Sequence, residues 1–308
     1  MPENTTPKSA KRDIISIVVR LTITCLVAGL IMGGAFLLTY KAKERNEIQR
    51  DEKVMYALLG YHAKNPAPAT MKLHAIHRYI LDENQNLSVG YVIPAKTEDQ
   101  SLLVILDLEG NFVKQYPIAH KFALQNSTND TQVIQSAVGG SIAIRYADTM
   151  LVVCDQGKRT AYILDGKYPG FKTFIHVKMA LNAKYDILGF EVLEHEEDPG
   201  LGAEIVQPYF KNQFSHKTAE QLKSLEVVKQ PMPDDYRNAL VGKVAGDEKD
   251  KILAAHRDDP IYALTGATIS SRSVLNGNKA IVRKFIYRIE MLDKVIRAQQ
   301  LPTALPLE

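Results

Sequence analysis

In the stretch Phe171-Lys172-Thr173-Phe174-Ile175-His176-Val177-Lys178-Met179-Ala180-Leu181, apolar side chains fall on every second position from Ile175 to Leu181. A period of two is the mark of a strand with one face turned to a core. A short polar turn, Ala183 to Asp186, separates it from a second strand-like run, Ile187 to Leu193. The two predict an antiparallel pair, and this pair sets the expectation for the rest of the chain.

Upstream, Ser88 to Pro94, Leu102 to Leu108 and Phe112 to Ile118 are rich in β-branched and aromatic residues, with Glu109-Gly110-Asn111 as a hairpin turn between the last two. Further strands are expected at Ser141 to Tyr146, Met150 to Cys154 and Thr160 to Leu164. Gly166-Lys167-Tyr168-Pro169-Gly170, taken alone, reads as the turn between two strands. Downstream, Val274, Asn278, Ile281, Phe285, Ile289, Leu292 and Ile296 recur at three- and four-residue spacing, which predicts a helix packed by one face, with Ser270 or Ser271 as its N-cap. The charged, helix-prone region Asp234 to His256 reads as a surface insertion. The fold class is α+β, a mostly antiparallel sheet with helices packed against it.

Ile14 to Tyr40 is almost wholly apolar, with Arg20 its only charge. The uninterrupted part from Leu21 onward spans about 30 Å as a helix, the thickness of a bilayer's hydrocarbon. It is longer than the apolar region of a signal peptide and continues into Lys41-Ala42-Lys43-Glu44-Arg45, so it is expected to remain as a single transmembrane anchor in the lipid bilayer. Lys8, Lys11, Arg12 and Arg20 on one side face Lys41, Lys43, Arg45, Arg50 and Lys53 on the other, so charge does not decide the orientation. Lys64-Asn65-Pro66-Ala67-Pro68 breaks the helical pattern. The expected organisation is a tail 1–12, a transmembrane helix 13–40, a helical stalk 41–63, the first part of a soluble domain 64–164, its second part 165–298 and a tail 299–308.

The chain has 308 residues, 45% hydrophobic and 24% charged, with a formal charge of +3, and no Lys/Arg block with interleaved aromatics. A nucleic-acid partner is not expected. Its two cysteines, Cys25 in the apolar run and Cys154 in a strand, form no C-x-x-C pair, which argues against iron–sulfur, structural zinc and c-type haem sites. His74, His77, His176 and His256 are scattered, no Ser-His-Asp set can be assembled, and the glycines form neither G-x-G-x-x-G nor a Walker loop. No catalytic side chain is assigned.

Two segments could carry chemistry. Thr265-Gly266-Ala267-Thr268 lies just before the last helix, where small residues let a ligand approach the backbone. The helix start presents unpaired N–H groups and the positive end of the dipole, so a phosphoester on the Thr268 hydroxyl would be stabilised there. Glu194-His195-Glu196-Glu197-Asp198-Pro199-Gly200-Leu201-Gly202 is a constrained bend that could wall a planar cofactor. It lacks the His-Glu-x-x-His spacing of a zinc site, and no metal is expected.

Tyr168-Pro169-Gly170, the strand pair, Glu197 to Gly202 and Thr265 to Thr268 together resemble the FMN-binding domain shared by the G subunit of the Rnf electron-transport complex and the C subunit of the sodium-translocating NADH:quinone reductase. The likeness is strongest from Asp165 to Lys284. It implies FMN bound covalently to Thr268 through its phosphate, with Thr265, Gly266 and Ala267 completing the motif and Glu197, Asp198, Pro199, Gly200, Leu201 and Gly202 near the flavin. Asp198 stands where the family usually has threonine, an extra carboxylate that would slightly disfavour anionic reduced flavin. Tyr262 stands where the family commonly has an aspartate that helps the flavin transferase recognise its target. Val192-Leu193-Glu194-His195 and Thr265 are closer to the Rnf protein. The resemblance further implies a single-pass protein of the bacterial inner membrane with its soluble part on the periplasmic or outer side. It would be an electron-carrying subunit, inactive alone, with other subunits of a membrane redox complex as partners and a flavin transferase for maturation. The alternatives are an Nqr-type C subunit and a flavin-free assembly or binding subunit.

Overall fold

The computed structural model describes residues 7–125, 129–140 and 142–307. Part of the expected tail 1–12, Ser141 at the head of an expected strand, Glu308, and the side chains of Lys8, Lys11 and Arg12 lie outside the described residues. The chain forms two compact units, 1–53 and 54–308.

The first unit is built from helix α1 (Pro7–Leu58), whose last turns belong to the second. From Ile14 to Tyr40 the helix exposes apolar side chains on all sides, and it is long and apolar enough to cross a membrane. A helix apolar all round suits hydrocarbon and not one face of a soluble core. Two of its hydroxyls are satisfied within the helix: Thr24 Oγ1 donates to Arg20 O at 2.9 Å and Thr39 Oγ1 to Ala35 O at 2.8 Å.

The second unit is an eight-stranded antiparallel sheet in the order β4-β3-β2-β1-β5-β6-β7-β8. Its strands are β1 (Lys72–Glu83), β2 (Asn86–Pro94), β3 (Ser101–Leu106), β4 (Phe112–Ile118), β5 (Ala143–Asp155), β6 (Lys158–Pro169), β7 (Phe174–Asn182) and β8 (Ile187–Glu194). The pair β7 and β8 is antiparallel, as Phe171 to Leu193 predicts. Helix α2 (Asp130–Val138) follows β4, and helices α3 (Pro208–Lys211), α4 (Ala219–Ser224), α5 (Asp234–Leu240) and α6 (Gly246–Ala255) follow β8. A parallel two-residue pair, β9 (Val227–Val228) with β10 (Ile261–Tyr262), leads to the long helix α7 (Thr268–Ala298).

Both faces of the sheet are covered. On one face Val274, Leu275, Val282, Phe285, Ile289 and Leu292 of α7 pack on Met150, Val152, Tyr162 and Leu164. On the other, Met55 and Leu58 of α1 meet Val153, Ala161, Ile163 and Ala180, while Ile134 of α2 covers Tyr79, Leu81, Val92 and Leu103. Each such side chain contributes roughly 1.5–3 kcal/mol by leaving water. Double coverage explains why β3 is apolar at nearly every position and does not alternate.

Three expectations change. Gly166 to Pro169 is strand, not turn; the chain reverses one step later, where Gly170 N–H donates to Thr173 O at 2.6 Å. Gly166 is needed for approach, because a Cβ there would lie 2.0 Å from Ile281 of α7. The runs at Tyr146 and Met150 are one strand, β5, made continuous by a register shift opposite Arg78 and Tyr79. The N-cap of α7 is Ala267, with no side-chain cap, and Ser270 and Ser271 sit within the first turn with other partners.

One contact fixes where α7 lies. Gly277 faces the Tyr168 ring so closely that a Cβ would lie 2.2 Å from it. Burial pushes the Tyr168 phenol far above its usual pKa, and its hydroxyl donates to Asn278 Oδ1 at 3.4 Å.

Candidate functional site

The start of α7 and the loop after β8 meet. A cleft of about 490 Å³ is lined by Glu197, Asp198, Leu201 and Gly202 from the loop, by Gly266 to Ser270 from the head of α7, and by Phe171. The volume lies within the range usual for small-molecule sites. Thr268 is half-buried in its wall, and Ala267 is buried beneath it. Thr265 does not line the cleft, and neither do Pro199 and Gly200 at the loop's bend.

The loop is locked to its neighbours by Glu197, which is only 4% exposed. Its Oε1 accepts the backbone N–H of Phe171 at 2.7 Å and of Lys172 at 3.3 Å. Its Oε2 accepts a short hydrogen bond from Ser270 Oγ. One side chain thus joins the turn after β6, the loop after β8 and the first turn of α7. A buried carboxylate requires such partners, since leaving it unpaired is costly.

Glycines surround this carboxylate because nothing larger fits. A Cβ on Gly170 would lie 2.3 Å from Glu197 Oε1, and one on Gly202 would lie 2.6 Å from Ser270 Oγ and 2.7 Å from Glu197 Oε2. Gly266 has φ +75°, a conformation that side chains disfavour, and a Cβ there would meet Leu201 Cδ2 at 2.8 Å. Gly170, Gly202 and Gly266, one from each of the three segments, are therefore set by close packing, whereas Gly200 has open space around it and a φ of +73°.

The backbone around Thr268 is held from behind. Ser271 Oγ donates to Ala267 O at 3.0 Å and accepts Leu264 N–H at 3.0 Å, while Ala267 N–H donates to Leu264 O at 3.0 Å. The first N–H groups of α7 have no intrahelical acceptor and point at the cleft's end of the helix. The geometry suits a phosphate on Thr268 Oγ1.

At the lip, Lys172 Nζ lies 2.5 Å from a carboxylate oxygen of Asp198. That hydrogen bond and the attraction of Asp198 raise the Lys172 pKa. The Asp198 carboxylate is thus matched by a cation.

Tyr262 stands apart from the cleft in a second cluster, packed with Tyr236 and Leu240 and 9% exposed. Its hydroxyl donates to Asp259 Oδ2 at 2.7 Å, and His256 Nδ1 reaches the same oxygen at 2.7 Å. Burial acts to raise the Asp259 pKa, but these two hydrogen bonds together with the nearby charges of His256 and Lys217 outweigh it, and the net shift is downward. The region Asp234 to His256 is partly internal: Tyr236, Ala239 and Leu240 are buried. Phe171, Ile269 and Ser270 line the cleft although no motif marks them for it. The signal for Phe171 is its place directly after Tyr168-Pro169-Gly170. Among the described residues no cluster of His, Cys, Asp and Glu could hold a metal ion, and Cys25 and Cys154 are free.

Comparison with known proteins places this cleft within a recognisable segment. Residues 170–283 match the FMN-binding domain family. The chain is similar to the G subunit of the proton-translocating ferredoxin:NAD(+) oxidoreductase complex of Clostridium ljungdahlii, 22% identical over 274 residues that cover 89% of this chain and 92% of the relative. Among solved structures, it is similar to NqrC of Shewanella oneidensis (TM-score 0.32, 20% identity, 44% of this chain and 56% of that one). It is also similar to the C subunit of the Na(+)-translocating NADH-quinone reductase of Parabacteroides distasonis (TM-score 0.35, 19% identity, 61% and 76%). The resemblance of the motifs to the Rnf protein thus extends over most of the chain.

Proposed function

We propose that this chain is the membrane-anchored flavoprotein subunit of an Rnf-type ferredoxin:NAD oxidoreductase, and that it carries FMN as a phosphoester on Thr268. The observation that carries this reading is the meeting of Thr268 with the Glu197–Gly202 loop in one cleft at the head of α7, inside the segment matched by the FMN-binding family.

Thr268 is an attachment point. In maturation its hydroxyl oxygen bonds to the flavin-side phosphorus of FAD and loses its proton, while the pyrophosphate P–O bond breaks and AMP leaves. A flavin transferase brings the two together. The N–H groups at the head of α7 would receive the phosphate. Once bound, the flavin supplies the redox chemistry, and the protein fixes its position and surroundings.

The chain would pass electrons between other redox subunits of a complex that links reduced ferredoxin and NAD to Na+ or H+ transport. It would not turn over alone. The apolar run Ile14 to Tyr40 holds it in the bacterial inner membrane, with residues 54–308 on the periplasmic or outer side. Protease added to spheroplasts should then digest that unit.

The central test is flavin fluorescence on a denaturing gel after coexpression with a flavin transferase. The wild-type band should fluoresce and gain the mass of one FMN on the peptide containing Thr268, and Thr268→Val should be dark. A dark wild-type band overturns the reading.

A further inference from the structure

Thr268 shares its cleft with three large apolar side chains that face solvent. Phe171 is 55% exposed, Leu201 45% and Ile269 59%, and they come from the turn after β6, the loop after β8 and the first turn of α7. A single exposed apolar residue on a protein surface is ordinary, but three from separate segments meeting around one hydroxyl are not.

Phe171 is the most informative of them. Its backbone is held by the 2.7 Å bond from its N–H to the buried Glu197 carboxylate, so its position does not drift with the turn. Its ring, however, has no aromatic or cationic partner among the described residues. The nearby Phe174 differs: it is 49% exposed, but Lys167 Nζ sits 4.8 Å from its ring centroid, and it does not line the cleft. A rigidly mounted, unpartnered aromatic face beside an attachment hydroxyl suits a flat aromatic ligand. Aromatic pairs add roughly 0.5–1.5 kcal/mol beyond the area they bury.

We propose that Phe171 and Ile269 hold the tricyclic ring of the flavin tethered at Thr268, with Glu197 as the brace that keeps Phe171 in place. This rests on the reading of Thr268 as the tether. Phe171 and Ile269 are positioning residues: they set where the ring lies, and they take no part in forming the phosphoester.

The test uses full-length protein coexpressed with a flavin transferase, in four forms: wild type, Phe171→Ala, Ile269→Ala and, as a control outside the cleft, Phe174→Ala. Flavin content is read after denaturation, by gel fluorescence and mass. The hold on the ring is read in the native protein, by visible circular dichroism and by the anisotropy of flavin fluorescence. All four forms should carry flavin equally. Phe171→Ala and Ile269→Ala should lose most of the visible dichroism and show lower anisotropy, whereas Phe174→Ala should match wild type. Flavinylated Phe171→Ala and Ile269→Ala with wild-type dichroism and anisotropy would overturn the ring site alone. An unmodified Thr268 in the wild type would overturn the tether, and the ring site with it.

Discussion

Ser270 Oγ donates to Glu197 Oε2 across 73 residues of sequence, and this bond is what joins the head of α7 to the loop after β8. The two segments that carry the family motifs are therefore mechanically one.

Glu197→Ala removes the acceptor for Phe171 N–H and Ser270 Oγ in a place where water has little access. The loss should be about 1–3 kcal/mol, seen as a lower Tm of the detergent-solubilised chain. Glu197→Gln keeps an acceptor oxygen and should lose less. Equal Tm values for wild type and Glu197→Ala would contradict the bracing role.

Thr268→Ser keeps a hydroxyl at the head of α7 and should still accept flavin. Thr268→Val should not, and its stability should stay within about 0.5 kcal/mol of wild type, because the side chain is only half-buried and is not in the core. Mass spectrometry and thermal melts on the same samples separate attachment from folding.

Tyr262→Asp should raise the fraction of chains flavinylated when the transferase is limiting, by restoring the acid common in the family. It should also lower stability, since the new carboxylate would lie buried beside Asp259 in place of a phenol that donates to it. A rate of incorporation no higher than wild type would show that Tyr262 does not slow maturation.

The pair at the lip predicts opposite shifts in flavin potential. Asp198→Thr leaves the Lys172 ammonium unmatched, which favours reduced anionic flavin and raises the midpoint. Lys172→Ala leaves Asp198 unmatched and lowers it. Both groups are well exposed, so the shifts should be on the order of 10–30 mV and shrink with added salt. Spectroelectrochemical titration at two ionic strengths checks the sign.

His77 predicts a pH dependence of stability. It is fully buried, with Nε2 donating to Ala123 O at 2.8 Å and Nδ1 accepting from Thr149 Oγ1 at 2.6 Å. Burial, the largest influence, lowers its pKa from 6.5. The unfolded chain thus takes up a proton first as pH falls, and stability declines from about pH 6.5 down to the depressed folded value. His74, lowered by burial and by Lys72 and Lys121, acts in the same direction. Urea unfolding at pH 8 and pH 5.5 should show the decline, and His77→Gln should reduce it.

Much of the fold can be read from residues whose faces are simple. Ile175, Val177, Met179 and Leu181 alternate because one face of β7 enters the main core, and Val274 to Ile296 repeat because α7 buries one stripe. β1 is hidden in the sequence because His77 and Arg78 interrupt its apolar pattern. Both are satisfied from a distance, His77 by Thr149 and Arg78 by Asp148, partners about seventy residues away. The candidate site divides in the same way. Thr268 and the Pro-Gly-Leu-Gly bend stand out as local motifs, while Phe171 enters through a hydrogen bond to Glu197, 26 residues further on. Ser270 has the chemistry of a cap, but its hydroxyl is committed to Glu197. Bonds of that kind leave no periodic trace.

Gly277 carries a last consequence. It lies nine residues along α7 from Thr268, about 13 Å at the rise of an α-helix, and it touches Tyr168 with no room for a methyl group. Alanine, ordinarily the best helix former, would here act as a wedge under a rigid rod, tilting its far end and moving Thr268, the proposed attachment point, without altering a residue near it. A mutational survey confined to the attachment motif would overlook the position that aims it.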